Sequence, residues 1–373
     1  MKKNGITEYY EEVETTGEYD GYFCSVSEAI TIAILGSICG LKNVSQIHQW
    51  ATNDRVSEFL KEKFGINHVP CYYWLLCLLK MIKTESLNRC FANWVYSVMP
   101  EKAEALTISL DGKTICSTTG MDSYSRPLHI ISAQISELGL TLAQRSTEDK
   151  SNEIPAVQEL LKELNIKGHI VVADALNCQK ETAEIIVEQK ADYLLCVKDN
   201  HANLKKDIED YVQDEALRKT MQSASKAEKG HGRIENRTAF VTQEIDWLTQ
   251  KTEWKKLICI GAVNTEFESK KGRSSEWHYY ISSRPLTPEE LLHHARMEWS
   301  VESMHWLLDV HFEEDWCRVE DKTVQSNLNI FRKAAINLIK IFKSRTESKK
   351  AISKIMLDCL LDTGNILRVI DEN

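Results

Sequence analysis

The sequence predicts a mixed α/β protein: a sheet flanked by helices, interrupted by a β-rich insertion and preceded by a small all-helical domain. Three observations carry this expectation. Between residues 24 and 99, apolar side chains recur at spacings of three and four, the mark of amphipathic helices. From 106 the pattern changes to three consecutive strand-like runs, after which helices and strands alternate. From about 216 to 285 strand-like segments return without helices between them, and long helical patterns then close the chain.

Taken in order, residues 1–20 are polar and acidic and are expected to be disordered. Residues 21–100 form the helical domain. Its first helix, SVSEAITIAILGSICG, opens with Ser25 and Glu28 in the spacing of a capping box. NVSQIHQWA, RVSEFLKEKFG and SLNRCFANWVYSVM follow, and Pro100 ends the run. The unit at 101–345 starts with the strands LTISLDGKTI, LHIISAQISE and LTLAQRST. Then come a helix (EIPAVQELLKELN), a strand (HIVVADA), a helix (QKETAEIIVEQK), a strand (DYLLCVK) and a helix (ANLKKDIEDYVQ). The polar stretch from about 216 to 232 reads as a loop, and RTAFVTQEI, KLICIGAV and WHYYISSR read as strands of the insertion. A long helix is expected from TPEELL to about Val310, then another at NLNIFRKAAINLIKIFKS, and residues 346–373 form a helical tail.

Composition bounds the function without naming it. The chain has 373 residues, 43% hydrophobic and 27% charged, an ordinary globular profile. Net charge is 46 minus 55, or −9, which neither suggests nor forbids a nucleic-acid partner, because a local basic face decides that. The 11 cysteines are scattered without a CxxC pair, which argues against a disulfide framework or a structural zinc site. The start turns acidic where a signal peptide would turn apolar. AITIAILGSICGL and YYWLLCLLKMI fall short of the roughly 20 residues a membrane helix needs. A soluble cytoplasmic protein with no membrane partner is expected.

Two aspartates stand out. Asp111 ends the apolar run of LTISLDGK, and Asp174 ends that of HIVVADA. Either alone reads as a turn former, since Asp-Gly is a common turn signal. Together, on neighbouring strands about 4.8 Å apart, their side chains could share a hard cation such as Mg²⁺, which takes oxygen ligands. A third ligand would come from RMEWSVESMHWLLDVHFEED (296–315), where Glu298, Glu302, His305, Asp309 and Glu313 fall in one narrow helical arc. By spacing alone that arc is also a solvated acidic face, although Trp299 and Trp306 flank it.

Asp111 in LDGK, KSNEI (150–154), DALNCQ (174–179), HGRIENR (231–237) and ESMHWLLDVHFEED (302–315) occur in that order. This set resembles the motifs of DDE-type insertion-sequence transposases, in particular the H-repeat-associated group, over roughly residues 20–345. Region 24–99 resembles that group's associated N-terminal domain. The resemblance implies an RNase H-like catalytic core that cleaves and rejoins DNA with an Asp-Asp-Glu triad at Asp111, Asp174 and Glu302. It also implies two Mg²⁺ ions, for which Mn²⁺ can substitute, with Asp111 as the bridging ligand. The partners it implies are double-stranded DNA, as terminal inverted repeats and target, and a second copy of the chain to hold two ends together. Lys113, Lys150 and Lys198 each follow a motif strand and are candidate phosphate contacts. His231, Arg233 and Arg237 match a motif that could hold DNA; each of these six also reads as an ordinary surface residue. The chain departs from the family pattern at Glu298 (usually His), at Ser303 (usually Asn), at His201 (usually Gln) and in VPCYYWLLCLLKM. These departures leave three activities open: a transposase, an inactive relative that binds DNA or protein, and a nuclease that hydrolyses without strand transfer.

Overall fold

The computed structural model describes residues 6–17, 23–100, 105–118, 127–147, 152–230, 233–269 and 272–371. Nine strands among them form one sheet. They are β1 (Thr107–Thr114), β2 (His129–Ile135), β3 (Leu140–Thr147), β4 (Ile170–Ala173), β5 (Asp192–Val197), β6 (Gln222–Gly230), β7 (Arg233–Thr242), β8 (Cys259–Ser269) and β9 (Gly272–Ser282). Across the sheet the order is β3-β2-β1-β4-β5-β9-β8-β7-β6. β1 is antiparallel to β2 and parallel to β4, β4 is parallel to β5, and β9 joins β5 antiparallel. The expected insertion is therefore a four-stranded extension of the same sheet.

Six helices precede the sheet: α1 (Ile6–Tyr9), α2 (Val26–Ile38), α3 (Val44–Ala51), α4 (Asp54–Phe64), α5 (Tyr72–Met81) and α6 (Thr84–Val98). Within and after it come α7 (Glu153–Glu163), α8 (Lys180–Glu188), α9 (Ala202–Gln213), α10 (Glu215–Arg218), α11 (Pro288–Met297), α12 (Ser300–Phe312) and α13 (Lys322–Arg345). Two more, α14 (Ile352–Leu361) and α15 (Gly364–Ile370), end the described chain. The capping box predicted at Ser25 and Glu28 is present, with both reciprocal hydrogen bonds. α13 is buried from Val324 to Ile339 and joins the N-terminal helices to the sheet. Its Asn327 donates to the Leu79 and Ile82 carbonyls, while Lys333 donates to Ser132 of β2 and Gln144 of β3. The apolar residues between these helices and one face of the sheet form one continuous core, and a separate cluster with Val172, Leu194, Val241 and Leu291 lies on the other face.

Three expectations need correction. Of the N-terminal stretch expected to be disordered, residues 6–17 are ordered: Tyr10 is buried and Glu14 pairs with Lys83 at 3.0 Å and Arg89 at 2.9 Å. One aromatic anchor and a charged clamp outweigh the polar composition. The expected loop at 216–232 contains strand β6, paired along its length with β7. β6 is the outer edge of the sheet and none of its side chains described is buried, so no apolar alternation marks it. The single long helix expected through Val310 is broken at Glu298 and Trp299, where the ψ of Trp299 opens to −2°.

Candidate active site

Asp111 does not begin a turn. It lies inside β1, opposite Ser132, and Gly112 follows opposite Ile131. On the other side of β1 the last residues paired with β4 are Leu110 and Ala173. Asp111 and Asp174 are thus the next residues on two adjacent parallel strands.

Alternate residues of β1 point to one face, and on the face of Asp111 every one of them is polar. Thr107 Oγ1 lies 2.8 Å from His294 Nδ1, and Ser109 Oγ donates to the Met297 carbonyl at 2.8 Å. Asp111 Oδ2 is 3.4 Å from His305 Nδ1. Lys113 bonds Asp309 and reaches Glu314 at 3.2 Å and Asp315 at 3.5 Å. The α11–α12 segment therefore lies across β1 and is matched to it residue by residue. Ile108 and Leu110 turn the other way, into the core.

Asp174 is oriented from behind. Its Oδ1 accepts from Asn177 N (3.2 Å) and Asn177 Nδ2 (3.0 Å), and the same amide group donates to Glu153 at 2.9 Å. Glu153 in turn bonds His129 Nε2 at 2.9 Å. Gly112 makes this network possible, because a Cβ there would sit less than 3.0 Å from both His129 Nε2 and Glu153 Oε2. The loop after Asp174 is clamped by the 198–201 segment: Asn200 donates to the Ala175 carbonyl and His201 Nε2 lies 2.7 Å from that of Cys178.

The electrostatics are those of crowded carboxylates. Burial raises the Asp174 carboxyl above its ordinary range and Glu153 and Asp111 add to this, against the two Asn177 hydrogen bonds. Glu298 is pushed up to about 8, first by burial and next by Asp174; Asp111 and Glu302 push the same way, and Lys198 opposes them. Four carboxylates thus act on one another at this edge of the sheet. Beside them, His305 Nε2 is buried with no hydrogen-bond partner, as is Asn177 Oδ1. An all-oxygen, acidic donor set of this kind fits a hard divalent cation.

The sequence profile for the transposase DDE domain matches residues 112–338, and the profile for its associated domain matches residues 24–95. The chain belongs to the DDE transposase family. The putative protein YbfL of Escherichia coli (strain K12) is 32% identical over 339 residues, spanning 87% of this chain and 89% of that protein. The H repeat-associated putative transposase YhhI of the same strain shows the same identity and coverage. Among solved structures, a piggyBac transposase synaptic complex with hairpin DNA aligns at 9% identity with a TM-score of 0.44, covering 95% of this chain and 74% of that one.

In this DDE family member the predicted site residues meet different fates. Asp111 and Asp174 come together, and Glu302 lies on α12 one turn past Glu298, with its side chain exposed. Lys198 is exposed beside the carboxylates. Lys113, expected as a phosphate contact, is instead held by three carboxylates and is only 14% exposed. Arg237 is paired with Glu235 and Glu228. Lys150 and His231 lie outside the described residues, as does the side chain of Arg233. Sequence reasoning missed Glu153 and Asn177, although both sit inside the quoted motifs KSNEI and DALNCQ. It also left Glu314 unassigned. That carboxylate is buried, yet Arg332, Lys113 and Lys333 outweigh its desolvation and hold it below the usual carboxylate range.

Among the described residues, the group of three donors whose ligand atoms all lie within 4.8 Å of one another is a different one, Glu137, His293 and His294. It lies at the start of β1, where Glu137 accepts from Thr107 N at 2.9 Å and His294 meets Thr107 Oγ1. These bonds tie α11 to the sheet. Among the described residues, no helix is long and apolar enough to cross a membrane.

Proposed function

We propose that this chain cuts and rejoins DNA at the ends of its own element, with Asp111, Asp174 and Glu302 holding two Mg²⁺ or Mn²⁺ ions. The observation that carries the reading is the placement of Asp111 and Asp174 side by side on parallel strands, beneath the helix that bears Glu302. The order β3-β2-β1-β4-β5 supports taking this half of the sheet as an RNase H-like core. β6–β9 are then the insertion, and α2–α6 the associated N-terminal domain.

When bound, a pair of divalent ions supplies an activated attacking oxygen and stabilises the leaving one in an in-line phosphoryl displacement. The protein's share is positioning. β1 is fixed between β2 and β4, so Asp111 cannot drift, and the Glu153–Asn177 pair sets the Asp174 carboxylate. His305 faces Asp111, its Nδ1 3.4 Å from the carboxylate. Lys198 offers an exposed cation to a phosphate beside the carboxylates. The partners are double-stranded terminal repeats and target DNA, and two copies of the chain bring two ends together.

A strand-transfer assay with the element's own terminal repeats tests this reading. Joined product is expected from the wild type. Cleavage without joining would mean a hydrolytic nuclease, and binding without cleavage an inactive relative. Asp111→Asn should fold and bind the repeats, yet lose cleavage and the Mg²⁺-dependent rise in melting temperature that native-state binding produces. Cleavage by this variant at the wild-type rate would overturn the assignment.

A further inference from the structure

Glu137, His293 and His294 come together from two distant places in the chain, and their donor set differs from the one at Asp111. Glu137 follows β2 and leads into the turn before β3, while the two histidines lie on α11. Their ligand atoms all lie within 4.8 Å of one another. His293 Nε2 is 3.2 Å from Glu137 Oε1, close to the roughly 3.3–3.4 Å between two ligands held tetrahedrally at about 2.0–2.1 Å from a Zn²⁺ ion. The two imidazole rings meet edge to face, with centroids 5.1 Å apart.

Thr107, the first residue of β1, orients two of the three donors. Its N–H donates to both Glu137 oxygens, at 3.0 and 2.9 Å. Its hydroxyl donates to Glu137 Oε1 and lies 2.8 Å from His294 Nδ1. Outer hydrogen bonds of this kind fix the carboxylate and the ring of a metal site in place. His294 is buried, but the side chains of His293 and Glu137 are 48% and 22% exposed, so an ion can enter from solvent. Thr107 and Asp111 are four residues apart on β1, roughly 13 Å along a strand. The group is therefore separate from the carboxylates at the far end of that strand.

We propose that Glu137, His293 and His294 bind a Zn²⁺ ion at a site separate from Asp111 and Asp174. The proposal does not rest on the transposase chemistry. Two imidazoles and one carboxylate suit Zn²⁺, whereas an all-oxygen set suits Mg²⁺. Water completes the coordination from the exposed side. The ion crosslinks α11 to the turn after β2 and so reinforces the hydrogen bonds already made through Thr107. Because α11 runs into α12, the same crosslink steadies the helix that bears Glu302 over β1.

Co²⁺ is the probe, because it takes the place of Zn²⁺ in such sites and absorbs visible light there. Titrated into the metal-free full chain, it should give a saturable visible band that Zn²⁺ removes and excess Mg²⁺ does not. His293→Ala deletes a ligand at an exposed position, so the metal-free melting temperature should stay near that of the wild type. Co²⁺ binding should weaken on the order of tenfold or more, the scale seen when even an outer partner of a metal ligand is removed. Glu137→Gln, which keeps an oxygen for Thr107, should weaken it likewise. Zn²⁺ should raise the melting temperature of the wild type, by binding the native state, and of neither variant. Asp174→Ala should bind Co²⁺ like the wild type. A wild type without the band, or a His293→Ala protein that binds as tightly, would overturn the proposal and leave an ion pair that only fastens α11. Loss of the band in Asp174→Ala but not in His293→Ala would also overturn it, by placing the ion among the carboxylates.

Discussion

Replacing Gly112 by alanine adds one methyl group, and the structure converts it into a defect at Asp174. The new Cβ would meet the His129–Glu153 pair at less than 3.0 Å. Neither partner has room to retreat: His129 is 1% and Glu153 3% exposed. His129 is also held by Thr114 at 2.9 Å, and Glu153 by Asn177 at 2.9 Å. The bond to break is His129–Glu153, a buried carboxyl–imidazole hydrogen bond worth roughly 1.5–3 kcal/mol. Alanine returns roughly 0.4–1 kcal/mol by restricting the unfolded chain. A net loss of about 1–2 kcal/mol is expected in urea unfolding. Asn177 would shift with Glu153, so the metal-dependent melting increment should shrink as well. In a double-mutant cycle, His129→Ala should make room for the methyl group, leaving the pair less than additive. A Gly112→Ala protein within about 0.5 kcal/mol of wild type, with an unchanged metal response, would refute this reasoning and leave Gly112 without a steric role.

Asp309→Asn should cost only about 1 kcal/mol and leave Mn²⁺ binding intact, because Lys113 keeps Glu314 and Asp315; Glu302→Gln should instead abolish cleavage. Equal loss of cleavage from both would place the third ligand further along α12. Burial, aided by His293, holds His294 down at about 4 from its ordinary 6.5. The unfolded chain therefore takes up a proton that the folded one refuses, so stability is full above pH 6.5 and falls by about 3 kcal/mol as the pH drops towards 4. His294→Gln should flatten that part of the stability profile relative to wild type. An unchanged slope would show that His294 does not titrate as described.

Elements whose signal is local were legible in the sequence. The Ser25–Glu28 capping box depends on residues three apart, and the helical spacing of 24–99 depends on turns of one helix. β4 and β5 are buried on both faces and read as short apolar runs. The two aspartates were legible as well, because each ends an apolar run and both fall within a recognisable motif order.

β6 was not legible, since an exposed edge strand has no buried face and is held only by its hydrogen bonds to β7. Nor was the break at Glu298 and Trp299, whose own residues are compatible with a continuous helix. Tethers from Ser109, Ser136 and Gln134, about 160–190 residues away in the chain, hold the two sides of that break. The fate of the charged residues was decided in the same way. A lysine two residues after Asp111 looks available to a phosphate, until the chain folds Asp309, Glu314 and Asp315 around it. The sequence by itself determined the family, the order of the elements apart from β6 and the α11–α12 break, and which carboxylates merit attention. Tertiary structure alone decided which of them share a site, because proximity between distant segments comes from register and packing, and no local pattern encodes either.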